Sequence, residues 1–297
     1  MDGQRVIGVD LGGTKILAGV VDRDGRIGAR HERPTPVDSQ DALLEGLDAA
    51  VEELRDDGIV ALGFGIPSRL NQKTGQVEGS VNIPLEGFDL RSRMAERFGI
   101  PVGIENDANA ATYAEFHSGA GREAQTMVML TLGTGCGGGV VIDGKLFRGW
   151  AEFGHIVIDF DGIPCQGSCT GRGHLEAYVT GTAATRLARE AFGPEADSRL
   201  LLSRAAEGDE KALEILTDMG RRLGAGIGSL VNIFDPELVV IGGGFAAAGD
   251  FVLGPAAEVM RREVLAPEAD RVQIVRAELG SDAGLIGAGL IAFDALE

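Results

Sequence analysis

The sequence predicts an α/β protein built as two duplicated lobes with a cleft between them. Three observations carry that reading. Strand-like and helix-like patterns alternate over all 297 residues, the order that yields sheets covered by helices. The stretch VIGVDLGGTKILAGVVDRDG, from Val6, is echoed by VMLTLGTGCGGGVVIDG, from Val128. Both run strand, glycine turn, strand, Asp-Gly, and repetition on that scale points to a duplicated domain, not a solenoid. Glycine accounts for 46 residues, about twice the usual ~7%.

Each element follows from local pattern. Arg5 to Asp10 alternates, Leu11-Gly12-Gly13 turns, Ile16 to Asp22 is an apolar strand, Asp24-Gly25 turns, and Arg26 to Arg33 is a polar strand. Leu43, Leu44, Leu47, Val51 and Leu54 share one face of a helix expected from about Asp38 to Asp57. Ile59 to Pro67 is a buried strand, Asn71 to Gly79 a hairpin or loop, Leu90 to Phe98 a short helix, Pro101 to Glu105 a strand and Asp107 to Phe116 a helix. The pattern then restarts with strands at Met127 to Leu132, Gly139 to Ile142 and Lys145 to Phe147 around the glycine turn Gly133 to Gly138. The second half is mostly helical from about Leu175 to Asn232. It closes with a strand at Leu238 to Ile241, a helix at Phe251 to Val264, a strand at Val272 to Leu279 and a helix at Ala283 to Leu296.

Composition narrows the function. With 27 basic and 45 acidic side chains the formal charge is -18, and no Lys/Arg cluster breaks that acidity, so a phosphate backbone is repelled and nucleic acid is not expected as a partner. No apolar run approaches the ~18–20 residues that span a bilayer, and no membrane association is expected. The N-terminus lacks the features of a secretory signal. Three cysteines are too few for a disulfide scaffold, and a reducing cytoplasm is the expected compartment.

The glycine turns suggest phosphates. Gly12, Gly13 and Thr14, and again Gly133, Thr134 and Gly135, sit between strands of a hairpin, where successive N–H groups can cradle an anion. The plainer alternative is that glycine only satisfies the turns; a third turn at Gly242, Gly243 and Gly244 after a strand shifts the balance toward phosphate. Gly133, Gly135 and Gly138 spell G-x-G-x-x-G, but a strand follows instead of the helix that a dinucleotide fingerprint needs. Gly242, Gly244 and Ala247 fit its looser form without a βαβ unit. Gly139, Gly144 and Lys145 resemble a P-loop, yet Leu146 stands where Ser or Thr is required.

Asp10 ends a strand beside the first glycine turn, where a carboxylate would hold Mg²⁺; its alternative is a residue that merely starts a turn. Asp107, at a strand-to-helix junction in Glu105-Asn106-Asp107-Ala108-Asn109, is either a helix cap or a general base for an attacking hydroxyl. His155, Cys165, Cys169 and His174 fall within twenty residues, a donor set that suits tetrahedral structural Zn²⁺. The alternative is buried cysteines with unrelated histidines. Gly162, Gly167, Gly171 and Gly173 would leave that segment floppy without a metal. Glu152 and Glu176 bracket it and would face a polyhydroxyl ligand. Cys136 has no apparent partner.

Together these motifs resemble the ROK family of bacterial sugar kinases and repressors, its ATP-dependent glucokinases above all. They are DLGGTK at Asp10 to Lys15, ENDANAA at Glu105 to Ala111, LGTGCGGG at Leu132 to Gly139, EFGH at Glu152 to His155, GHLE at Gly173 to Glu176 and DPELVVIGGG at Asp235 to Gly244. The resemblance spans essentially the whole chain. It implies a two-lobe actin-like, hexokinase-like (ribonuclease H-like) fold, with residues 1–118 plus 283–297 as the small N-terminal lobe. Residues 119–282 would form the large lobe, with the zinc loop and the nucleotide site.

The resemblance also implies transfer of the γ-phosphoryl of Mg-ATP to the 6-hydroxyl of glucose, with Asp107 as base. Asn82, Asn106, Asp107, Glu152, His155 and Glu176 would bind the sugar, His155 using its other nitrogen for zinc. Asp10, Gly12, Gly13, Thr14, Lys15, Gly133, Thr134, Gly135 and Gly242 to Gly244 would serve ATP. A dimer or tetramer is implied as well.

The family's zinc motif is C-x-C-G-x-x-G-C-x-E; here two extra residues precede Cys169, and His174 replaces the last cysteine. Only about five residues precede the DLGGTK strand, which argues against the family's DNA-binding repressors. The remaining alternatives are a kinase for mannose, fructose or an N-acetylhexosamine, polyphosphate as donor, and a non-catalytic sugar sensor.

Overall fold

The computed structural model describes residues 4–80, 83–265 and 271–296. The chain opens with the antiparallel strands β1 (Arg5–Leu11), β2 (Lys15–Val21) and β3 (Ile27–Pro34). Helix α1 (Gln40–Glu52) follows; it starts at Gln40 because the Ser39 hydroxyl caps it by accepting from the Ala42 amide, and it ends five residues short of Asp57. Strand β4 (Ile59–Ile66) leads into a hairpin, β5 (Ser68–Asn71) and β6 (Gln76–Ser80), then α2 (Leu90–Phe98), β7 (Val102–Asn106) and α3 (Asp107–Ser118).

The restart at residue 127 is β8 (Met127–Leu132), β9 (Cys136–Ile142) and β10 (Lys145–Leu146). Strand β9 begins at Cys136, so the glycine turn is shorter than expected and Gly137 and Gly138 already pair with Thr131 and Leu130. Then come α4 (Glu176–Val179), α5 (Gly181–Phe192), α6 (Ser198–Ala206), α7 (Glu210–Phe234), β11 (Leu238–Gly242), α8 (Asp250–Glu263), β12 (Gln273–Arg276) and α9 (Ala283–Asp294).

The chain forms two compact units. The first holds 1–122, 148–150 and 278–297, and the second holds 123–147 and 151–277. The boundaries thus fall a few residues from 118/119 and 282/283. The Glu115 carboxylate explains the shift: buried in the first unit, it accepts the amides of Ala120, Glu278 and Leu279 and draws both flanking segments in.

Both units carry one sheet pattern. In the first unit the order is β3-β2-β1-β4-β7 and in the second β10-β9-β8-β11-β12. In each, a three-stranded antiparallel meander is extended by two parallel strands. That shared topology is the duplication read from sequence.

In the first unit one sheet face packs Ile7, Val9, Leu62 and Phe64 against Leu43 and Leu47 of α1 and Met94 of α2. The other face explains much of the glycine. Gly19, Gly8, Gly63 and Gly103 are register neighbours across four adjacent strands, and α9 lies in that trough. A Cβ on Gly63 would come within 1.8 Å of the Ala288 carbonyl, and one on Gly8 within 2.4 Å of the Leu285 carbonyl. Helix α9 is accordingly apolar on every side and buried from Leu285 to Phe293. The second unit uses the same device between helices. Gly220 and Gly224 of α7 sit against the Val252 and Ala256 carbonyls of α8, where Cβ atoms would approach to 2.4 and 2.3 Å.

Candidate active site

In the first unit the carboxyl ends of the parallel strands meet, the usual ligand end of such a sheet. Asp10 on β1, Gly65 on β4 and Glu105 on β7 are register neighbours. With no side chain, Gly65 leaves open the space beside the Asp107 Cα, 3.7 Å from where its Cβ would be. Gly284 makes room for the Asp10 carboxylate, whose atoms lie 2.6 Å from the Cβ position there. The strand-end motifs DLGGTK and ENDANAA therefore converge, bringing three carboxylates around one glycine.

Their environments differ. Burial, reinforced by the charge of Asp107 and opposed by Lys15, pushes Asp10 up from 3.8 to about 6. Burial also raises Asp107, against hydrogen bonds from the Ala108 amide, its own amide and Asn106. The cap of α3 is Asn106 and not Asp107: Asn106 Oδ1 accepts from the Ala108 and Asn109 amides at 2.9 and 3.2 Å. Asp107 is the first helical residue, and its carboxylate, which accepts the Ala108 amide through Oδ1, is held above the usual carboxylate range by burial. Asn106 Nδ2 donates to the Ser68 carbonyl at 3.4 Å.

Glu105 is 1% exposed, and its Oε1 accepts from Gln72 Nε2, the Asn106 amide and Asn109 Nδ2. Among the described residues its Oε2 has no hydrogen-bond partner, and it faces Arg148 Nε at 3.7 Å. These supporting roles of Glu105, Ser68 and Arg148 are not readable from sequence, because neither Ser68 nor Arg148 is near the motif in the chain. The first glycine turn is closed by the Gly12 amide on the Lys15 carbonyl and by Thr35 Oγ1 on the Gly12 carbonyl. Lys15 ends in an exposed ion pair with Glu32 at 2.9 Å. Asn82 lies outside the described residues.

In the second unit the two remaining glycine turns are adjacent. Gly243, at φ +81°, lies so close to the backbone of Leu132 that a Cβ would meet its carbonyl at 2.4 Å, which leads directly into Gly133. The turn is held from behind by the start of α5: the Gly181 amide donates to the Gly133 carbonyl and Thr182 Oγ1 to the Thr134 carbonyl. Gly133 and Gly244 have open space on their Cβ side. Cys136 is buried, and burial with the charges of Glu176 and Glu152 pushes its thiol up to about 12, which makes it an inert packing group.

Beside that turn lies the Cys/His segment. Gly154 packs on the Cys136 carbonyl, 2.2 Å from its Cβ position, which seats the 3₁₀ turn Phe153–His155. One donor atom from each of His155, Cys165, Cys169 and His174 falls within a 4.8 Å group. His155 Nδ1 to His174 Nδ1 is 3.2 Å, His155 Nδ1 to Cys165 Sγ 3.8 Å and His174 Nδ1 to Cys169 Sγ 3.5 Å. Tetrahedral zinc with ordinary bond lengths would set N–N near about 3.3 Å and N–S near about 3.6 Å, so the donor set fits the ion. The segment does not depend on that cluster alone. Tyr178 OH accepts from the Ile163 amide and donates to Asp159 Oδ2, and isolated bridges join Val157 to His174 and Pro164 to Arg172. Glu176 opens α4 beside the cluster, its Oε1 3.1 Å from Cys165 Sγ and its Oε2 3.4 Å from the Cys136 amide.

Comparison with known proteins agrees with this arrangement. The sequence matches the ROK family over residues 6–295. A glucokinase of Streptomyces coelicolor is 38% identical, with 96% of each chain covered. The crystal structure of a ROK family glucokinase from Streptomyces griseus, in complex with glucose and AMPPNP, has a TM-score of 0.82 at 35% identity, covering 98% of this chain and 99% of that one. A ROK hexokinase from Thermus thermophilus has a TM-score of 0.86 at 37% identity, covering 99% of both. No helix among the described residues is long and apolar enough to cross a membrane. With the motifs in place and the likeness running the length of the sequence, the chain belongs to the ROK family.

Proposed function

We propose that the chain is a glucokinase that transfers the γ-phosphoryl group of ATP to the 6-hydroxyl of glucose. The observation that carries the reading is Asp107, released from capping by Asn106 and held at raised basicity beside Asp10. Full-length likeness to glucokinases, one of them crystallised with glucose and AMPPNP, supports the choice of substrates.

Asp107 takes the proton of the 6-hydroxyl as that oxygen bonds to the γ-phosphorus, and the bond from phosphorus to the β,γ-bridging oxygen breaks to leave ADP. Asn106 holds Asp107 at the head of α3 and, with Glu152, His155 and Glu176, orients the sugar hydroxyls. Glycine amides and the hydroxyls of Thr14 and Thr134 stabilise phosphate charge. Asp10 would hold the Mg²⁺ that accompanies ATP; a carboxylate raised by burial and then by the charge of Asp107 suits a cation, which neutralises phosphate charge. His155, Cys165, Cys169 and His174 would hold Zn²⁺, whose contribution is to order the segment carrying His155 and Glu176.

A chain with only three cysteines suits a cytoplasmic enzyme. A dimer or tetramer, expected from the family resemblance, is read by light scattering.

The test is ADP release with Mg-ATP against glucose, mannose, fructose, N-acetylglucosamine and N-acetylmannosamine, and product formation with polyphosphate as donor. Glucose should be turned over fastest, and Asp107→Asn should lose about 100-fold or more while still binding glucose. Full activity in that variant removes the base assignment; preference for another sugar moves only the pocket assignment.

A further inference from the structure

The chain has a single tryptophan, Trp150, and it is 61% exposed, an unusual place for so large an apolar surface. It is not loosely placed. Arg69 lies over its ring, with Cζ 4.9 Å from the centroid. Arg69 pairs across the β5–β6 hairpin with Gly79, and its guanidinium rests in the space a side chain there would fill, 2.6 Å from the Cβ position. Among the described residues no hydrogen bond or ion pair engages that guanidinium, so its donors face outward.

Two separate tethers place this pair near Asp107, all within the first unit. Arg148, two residues before Trp150, pairs with Glu105 Oε2 and, at 2.6 Å, with Asp294. Ser68, next to Arg69, accepts from Asn106 Nδ2 through its carbonyl. Glu105 and Asn106 are the two residues before Asp107. An indole face beside unspent guanidinium donors is the amphipathic surface that a pyranose ring presents in complement, C–H groups on one face and hydroxyl oxygens at its edge.

We propose that Trp150 and Arg69 form the rim of the acceptor-sugar subsite and are specificity-determining residues, the indole covering a C–H face of the pyranose and Arg69 donating to a ring-edge oxygen. The inference rests on the sugar-kinase reading. The pair is exposed, so substitution leaves the core untouched.

The experiment uses the full chain and glucose, with steady-state kinetics and the emission of the single tryptophan. Glucose should change the emission saturably, and also in Asp107→Asn, where no turnover competes. Trp150→Ala and Arg69→Ala should each raise the KM for glucose about tenfold, with kcat within about threefold and the KM for ATP unchanged. Trp150→Phe should recover most of the loss. Wild-type emission that glucose leaves unaltered, with normal turnover and an unaltered KM in both alanine variants, overturns the rim and leaves the kinase reading standing. Saturable emission change without turnover of any sugar supports the rim and overturns the kinase reading.

Discussion

Asp10→Asn should remove a specific part of the pH dependence of stability. In the folded chain Asp10 is raised from 3.8 to about 6, first by burial and then by the charge of Asp107. A carboxylate raised on folding binds its proton more tightly in the native state. Between about pH 4 and pH 6 the native state therefore holds more protons than the unfolded state, and stability falls as pH rises through that window, levelling off above it. A shift of about two units corresponds to about 3 kcal/mol.

Asparagine carries no such proton. The unfolding free energy of the variant, relative to the wild type, should therefore rise by about 2 kcal/mol between pH 4 and pH 7. Urea titrations followed by far-ultraviolet circular dichroism at several pH values measure this. Carboxylates remote from Asp10 are common to both proteins and cancel in the difference, whereas Asp107, coupled to Asp10, titrates with it as a pair. A difference that stays flat across the window refutes the argument that Asp10 is held ionised at a cost in the folded state.

Three further outcomes are expected. Zinc should be found at one atom per chain by elemental analysis, and Cys169→Ser or strong chelation should lower the melting temperature of the second unit; a stable, active, metal-free preparation makes the donor cluster incidental. Gly63→Ala should destabilise by about 3 kcal/mol, the upper range of overpacking, because its Cβ would press on the Ala288 carbonyl. Gly133→Ala, with open space at its Cβ position, should change stability by no more than about 0.5 kcal/mol and instead weaken ATP binding. Equal stability losses in the two variants would contradict the packing argument.

Much of the fold was legible because its signals are local. Strand alternation, the Asp-Gly turns and the apolar stripe of α1 depend on neighbours in sequence, and the repeat from Val6 and Val128 announced two sheets of one pattern. The Cys/His cluster was legible too, since four rare side chains within twenty residues are conspicuous whatever the fold does. Boundaries were less so: α1 starts at Gln40 rather than Asp38, and β9 starts inside its glycine run, because capping by Ser39 and pairing with β8 settled them.

What the sequence by itself determined is thus the inventory: an α/β duplication, three glycine turns, a carboxylate after the first strand, another at the head of α3 and a tetrahedral donor set. Only the tertiary structure decided which of these meet. Asp10, Gly65 and Glu105 lie far apart in the chain and become neighbours through the register of β1, β4 and β7. The abundance of glycine became intelligible only when α9 was seen to lie in the trough of Gly19, Gly8, Gly63 and Gly103. Likewise, Asn106 rather than Asp107 became the cap only through backbone geometry at the start of α3. Register and close backbone approach are long-range properties, set by what each residue meets across the sheet, and no local pattern encodes them.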